Sequence, residues 1–178
     1  MEYNFTMTCI VGMVDNGYVY IGGERGASDD NAIISSTRPK VGVRNGWIYG
    51  FAGTFGIGQL IECIDLPPLD RDEDVYTYIR LDIVEKLKGA IESYSKDNEE
   101  NTTEWLIGCQ GRLFEMSSAD WGVCEVSYTS IGSGFPYALG SLYTSIRTKD
   151  VEKRLRMAIS AAIEYSPSCR GPIDIYYV

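Results

Sequence analysis

Residues 4–28 read NFTMTCIVGMVDNGYVYIGGERGAS, and the reading of this stretch decides the fold. From Thr8 onward, TCIVGMV carries apolar residues at consecutive positions, whereas a strand with one face in water would alternate. Asp15-Asn16-Gly17 supplies the backbone freedom of a short hairpin turn, and YVYIGG (18–23) returns beside the first strand. A hairpin that is apolar on both faces has to be covered twice.

The same grammar recurs. KVGV (40–43), Arg44-Asn45-Gly46 and WIYGFAG (47–53) read as a second hairpin. EWLIGC (104–109), Gln110-Gly111 and RLFEMS (112–117) read as a third, and WGVCEVSYTSIG (121–132) is expected to continue its sheet. PIDIYYV (172–178) reads as a final strand. Val75, Ile79, Ile83, Leu87, Ile91 and Tyr94 recur at helical spacing, behind acidic residues that favour a helix start. Val151, Leu155, Ala158, Ile159 and Ala162 form a second stripe, and PYALGSLYTSI (136–146) a further helix. IDLPPLDRDED and SKDNEENTTE read as polar linkers. Strands, helices, strands and helices in that order predict a layered α+β domain rather than alternating βαβ units, with two packed sheets and helices outside.

Composition narrows the function. With 178 residues, 44% hydrophobic and 23% charged, the chain is expected to be one globular domain. A net charge of −9 argues against a phosphate-backbone partner, so no nucleic acid is expected. No apolar run approaches the ~20 residues that span a bilayer, and MEYNFTM lacks the basic start and apolar centre of a signal peptide. We therefore expect a cytoplasmic protein with no membrane partner. The five cysteines are widely spaced with no CxxC pair, so neither a zinc site nor a disulfide framework is indicated, and most are expected to be small buried residues. GTFGIG (53–58) completes no phosphate-loop motif. No cofactor or metal is called for.

The chain contains no histidine, which excludes Ser-His and Cys-His catalysis. One remaining way to activate a hydroxyl uses the amine of an N-terminal Thr, Ser or Cys as base, with a nearby cation and backbone N–H groups for the oxyanion. A cut between Met7 and Thr8 would put such a residue at the end of a buried strand. Translation from Met7 and removal of that Met would expose it too.

At this point the sequence resembles the proteasome β-subunit family, including the bacterial HslV peptidase. The match runs from the Thr8 strand, turn and acidic loop to Lys40, which lies 32 positions after Thr8, the family's lysine spacing. It continues through IYGFAGTFG (48–56), SIGSGFPYALGSLY (130–143) and AISAAIEYSPSCRGPIDIYYV (158–178). The resemblance implies a four-layer αββα sandwich over residues 8–178, with 1–7 a propeptide or N-terminal extension. It also implies roles. Thr8 would be the nucleophile and Lys40 the cation that lowers its pKa. Glu24, standing for the family's aspartate, would orient Lys40. Gly53 would donate the oxyanion N–H and Ser133 would anchor the amine and relay protons. Ser28 would contact substrate backbone, and Ala52, Phe55 and Gly56 would border an apolar side-chain pocket. The family's C-terminal Asp and Ser align with Ser166 and Cys169.

The function implied is a threonine-type peptidase acting on peptide bonds inside a homo-oligomeric ring, with a separate unfoldase ATPase delivering protein substrates. Its main rival is a catalytically inactive proteasome-like subunit with a structural or assembly role, and a third reading is a small-molecule amidase. Taken singly, Thr8 is a β-branched residue opening a strand, Lys40 a solvated edge-strand charge and Ser133 a turn residue. A cut after Thr8 would make Cys9 the nucleophile, one residue out of register with Lys40.

Overall fold

All three glycine-containing turns form where the sequence puts them. Asn16, Asn45 and Gln110 take φ of 48°, 53° and 50°, each followed by a glycine at positive φ, the left-handed pair that lets two residues reverse a twisted ribbon. A computed structural model describes residues 8–28, 33–68, 74–94 and 102–178. The turns join β1 (Ile10–Asp15) to β2 (Tyr18–Glu24), and, after a small ladder of β3 (Gly26–Ser28) and β4 (Ile33–Ser35), β5 (Val41–Arg44) to β6 (Trp47–Ala52). The third joins β7 (Glu104–Cys109) to β8 (Arg112–Ser117). The expected extension 1–7 and the linker segments 69–73 and 95–101 lie outside the described residues.

WGVCEVSYTSIG does not continue one sheet. Its first part, β9 (Val123–Val126), pairs with β8, while β10 (Tyr128–Ile131) pairs with β1. The chain changes sheets at Ser127, whose carbonyl accepts from Val14 N at 2.8 Å. One antiparallel sheet therefore runs β10-β1-β2-β11, closed by β11 (Ile173–Tyr177), and the other β5-β6-β7-β8-β9.

Both sheets are covered twice. Ile10, Val19, Ile21, Ile48, Leu106, Leu113 and Ile131 meet between the sheets. Trp47, Phe51, Trp105, Ile107 and Phe114 point the other way on the second sheet and pack beneath α2 (Val75–Tyr78) and α3 (Val84–Tyr94). On the first sheet, Val11 and Met13 face α4 (Phe135–Thr144) and α5 (Val151–Tyr165) through Leu142, Leu155, Ala158 and Ile159. Each such fully buried aliphatic side chain contributes about 1.5–3 kcal/mol relative to an exposed one. Three apolar layers between four layers of structure make an αββα sandwich.

Two helix details depart from the simple stripe. Ile79–Ile83 forms a π-type turn that joins α2 to α3, and its extra residue per turn brings Ile83 and Val84 both into the core. Tyr94, expected on the buried face, is 62% exposed. Cys9, Cys109 and Cys169 are buried as expected, but Cys63 and Cys124 are exposed, and all five are free thiols. Among the described residues no helix is long and apolar enough to cross a membrane.

Candidate active site

Thr8 lies two residues before β1, and the hairpin geometry brings the end of β2 beside it: Glu24 N donates to Cys9 O at 3.4 Å. Lys40 precedes edge strand β5, where a lysine would ordinarily lie in solvent. Here its side chain turns inward and is fully buried. Its Nζ donates to Thr8 Oγ1 at 2.8 Å and to Glu24 Oε1 at 2.8 Å.

A buried ion pair is sustainable only when the remaining lone pairs are also satisfied. Glu24 meets that condition. Oε1 also accepts from Cys9 N at 3.2 Å, and Oε2 accepts from Gly26 N and from Arg170 N at 2.9 Å. With one more methylene than aspartate, Glu24 reaches the lysine while remaining tied to the backbone at Cys9, Gly26 and Arg170. Burial lowers the Lys40 pKa from the ordinary lysine value, with Glu24 opposing the shift.

Ser133 arrives on the turn between β10 and α4. Thr8 N donates to Ser133 Oγ at 3.3 Å, and Gly134 N donates to Thr8 O at 3.1 Å. Gly132 begins that turn at φ 84°, and a Cβ there would lie 2.4 Å from Thr8 O, so only glycine permits the approach. Thr8, Lys40, Glu24 and Ser133 thus form one hydrogen-bonded cluster.

The other expected residues stand in different relations to it. Gly53 follows the last β6–β7 pair, Ala52–Glu104, at φ 115°, and a Cβ there would meet Thr102 O at 2.6 Å. Ala52 is fully buried between the sheets. Phe55 opens α1 (Phe55–Gly58) and packs edge-on against Phe51 at 5.7 Å, on the opposite, helix-covered side of β6. The structure therefore places Ala52 and Phe55 in two different cores. Ser28 pairs with Ile33 in the β3–β4 ladder.

Cys9 is oriented away from this chemistry. Its thiol lies 3.7 Å from Ser130 Oγ, among the residues under α4 and α5, and burial pushes its pKa up to about 12. A thiol held protonated makes a poor nucleophile.

The fold has clear counterparts among solved structures. BPH from Thiobacillus denitrificans, in complex with epoxomicin, matches with a TM-score of 0.81 at 21% identity, over 96% of this chain and 98% of that one. Anbu (Gly-1 mutant) from Hyphomicrobium sp. strain MC1 matches at 0.71 and 15% identity, over 94% and 80%. HslV from Trypanosoma brucei matches at 0.68 and 16% identity, over 96% and 98%. The fold is that of the proteasome-like N-terminal-nucleophile hydrolases. No family model and no curated protein matches the chain in sequence.

Within this proteasome-like fold, two partners of the cluster were not read from the sequence. Arg170 contributes its backbone N–H to Glu24, and a main-chain donor leaves no signature in residue type. The Cys169 thiol lies against Gly134, the residue after Ser133, and burial pushes it up to about 11, with Ser166 and Ser133 opposing the shift. Cys169, aligned with the family's serine, therefore stands beside the turn that carries Ser133. The loop after α5 was legible; its contact with Ser133 required the fold.

Proposed function

We propose that this chain is a threonine-type peptidase whose nucleophile is Thr8, exposed as an N-terminal residue by removal of residues 1–7. The observation that carries the reading is the 2.8 Å bond from Lys40 Nζ to Thr8 Oγ1, made by a buried lysine that is anchored from behind by Glu24. An ammonium donating to a hydroxyl in low dielectric favours its alkoxide, the form that attacks a carbonyl.

In the unprocessed chain the Thr8 nitrogen is an amide and cannot act as base. Attack of Thr8 Oγ1 on the Met7 carbonyl transfers the 1–7 acyl group from nitrogen to oxygen. Water then hydrolyses the ester, releasing residues 1–7 with a carboxylate and leaving Thr8 with a free amine. In each later turnover that amine takes the Thr8 hydroxyl proton, aided by Ser133, and Oγ1 attacks a peptide carbonyl. Gly53 N–H holds the oxyanion, and the leaving amine takes the proton. Water resolves the acyl-enzyme. Ser28 contacts the substrate backbone. On this reading the peptidase works in the cytoplasm as a ring of identical chains, fed by a separate unfoldase ATPase.

Intact mass tests the proposal. The wild-type chain is expected to lose residues 1–7 while Thr8→Ala keeps them, and only the processed wild type is expected to gain the mass of one epoxomicin, the compound in the Thiobacillus BPH complex. Retention of residues 1–7 by both proteins, with no adduct, favours an inactive proteasome-like building block. Ser166, standing where the family carries its C-terminal aspartate, supports that second reading. Turnover of N-acyl amino acids but not peptides would instead identify an amidase.

A further inference from the structure

Glu104 lies on the face of β7 that looks into the inter-sheet layer, two residues before the core residue Leu106. An acid on that face needs a partner. Its Oε2 accepts from Gly132 N at 3.0 Å, a bond that runs from one sheet to the turn leaving the other. Burial raises the Glu104 pKa above the ordinary carboxylate range; the Gly132 amide opposes that shift and neighbouring Glu115 adds to it.

Gly132 is the first residue of the turn that holds Thr8 at two points, through Ser133 Oγ and Gly134 N. Phe135 N closes the turn by donating to Gly132 O at 3.0 Å. Gly132 has no side chain with which to fix itself, so its position is set by this bond, by the Glu104 carboxylate and by the close approach of Thr8 O, which leaves no room for a Cβ. Glu115 provides a natural comparison. It stands on the same sheet face and accepts from Thr129 Oγ1 at 2.7 Å, but it holds the middle of β10 rather than the turn.

We infer that Glu104 is a positioning residue: by capturing Gly132 N–H from across the inter-sheet layer, it sets where the Ser133 hydroxyl meets the Thr8 nitrogen. The inference rests on the reading of Thr8 as nucleophile given above. Glu104 touches no reacting atom, and its action is transmitted through Gly132.

The test uses the full chain with Glu104→Leu, Glu104→Gln and Glu115→Leu. Amide hydrogen exchange of residues 132–134 is measured alongside kcat and KM on a leucyl peptide coumarin amide. Glu104→Leu is expected to speed exchange in the turn and lower kcat by about tenfold to a hundredfold at unchanged KM, the penalty of a misplaced catalytic contact. Glu104→Gln keeps a neutral acceptor and is expected to stay near wild type in both. Glu115→Leu is expected to leave turn exchange unchanged. Wild-type exchange and kcat in Glu104→Leu would overturn the inference, as would a Gln variant as impaired as the Leu one. Should Glu104→Leu not fold, Glu104→Asp, which withdraws the carboxylate by one methylene, takes its place with the same expectations. A wild type that turns over no peptide sinks the peptidase reading alone, because exchange then decides the positioning role.

Discussion

Lys40 and Arg154 are both cations with less than a tenth of their surface exposed, and the chain treats them in opposite ways. Lys40 has a carboxylate behind it and a hydroxyl in front of it, each at 2.8 Å. Arg154, on α5, donates to Leu142 O at 3.0 Å and lies against Met13 Sδ, and its Nε has no hydrogen-bond partner among the described residues. No carboxylate pairs with Arg154 among the described residues. Arg154 ties the end of α4 to α5 and to β1, with its guanidinium serving as a packing block. Burial of a charge therefore does not mark a site. A buried charge aimed at a nucleophile and backed by a fully satisfied counter-ion does.

The largest effect expected from this contrast is on Lys40→Met. Removing the ammonium that donates to Thr8 Oγ1 should slow self-processing, read by intact mass over time, by about a thousandfold, the scale of deleting an oxyanion-type donor. Stability should fall as well. Glu24 keeps its three backbone donors but loses its counter-ion, which in a buried pair costs about 3–5 kcal/mol, measurable as a lower urea midpoint. Unchanged processing would erase the distinction between the two cations.

An intermediate effect is expected from pH. The folded pKa of Lys40 lies below 10.5, its ordinary value, so between the two the unfolded chain holds a proton that the native chain has released. Stability then rises with pH across that window, and the burial penalty is in full force only below the folded pKa. Turnover should move the other way, since neutral Lys40 no longer carries the charge that favours the Thr8 alkoxide. Urea midpoints and rates measured as a function of pH up to 10.5 check both signs, and Lys40→Met should flatten the stability trend.

The smallest effect is expected at Arg154. Arg154→Met loses one carbonyl bond but also removes an unsatisfied Nε from the interior, so the net change should lie within about 1 kcal/mol in either direction. Processing should be unaffected. A large loss of processing in this variant would show that the α4–α5 contact reaches the Thr8 site.

Much of the fold was legible because its determinants are local. Asn16-Gly17, Asn45-Gly46 and Gln110-Gly111 are turns by virtue of their own backbone preferences, and consecutive apolar residues in β1 and β6 require cover on both faces wherever they lie. The spacing of Thr8 and Lys40 was also visible, as was the glycine-flanked Ser133. The sheet change at Ser127 was not, because β9 and β10 read as one run of strand residues, and nothing local distinguishes pairing with β8 from pairing with β1. Ala52 and Phe55 are three residues apart in the chain, yet the change from strand to helix sends them into separate cores.

The sequence by itself thus determined the strands, the turns, the helical stripes and the chemical constraint that a chain without histidine has to find another base. Tertiary structure alone decided the charges. An edge-strand lysine becomes a buried partner of Thr8 because Glu24, sixteen residues earlier, arrives with backbone donors from Cys9, Gly26 and Arg170 already in place. Glu104 reaches Gly132 from the opposite sheet only when the two sheets pack face to face. The solvation of an ionisable group depends on what surrounds it in three dimensions, and its surroundings here come from residues as much as 146 positions away.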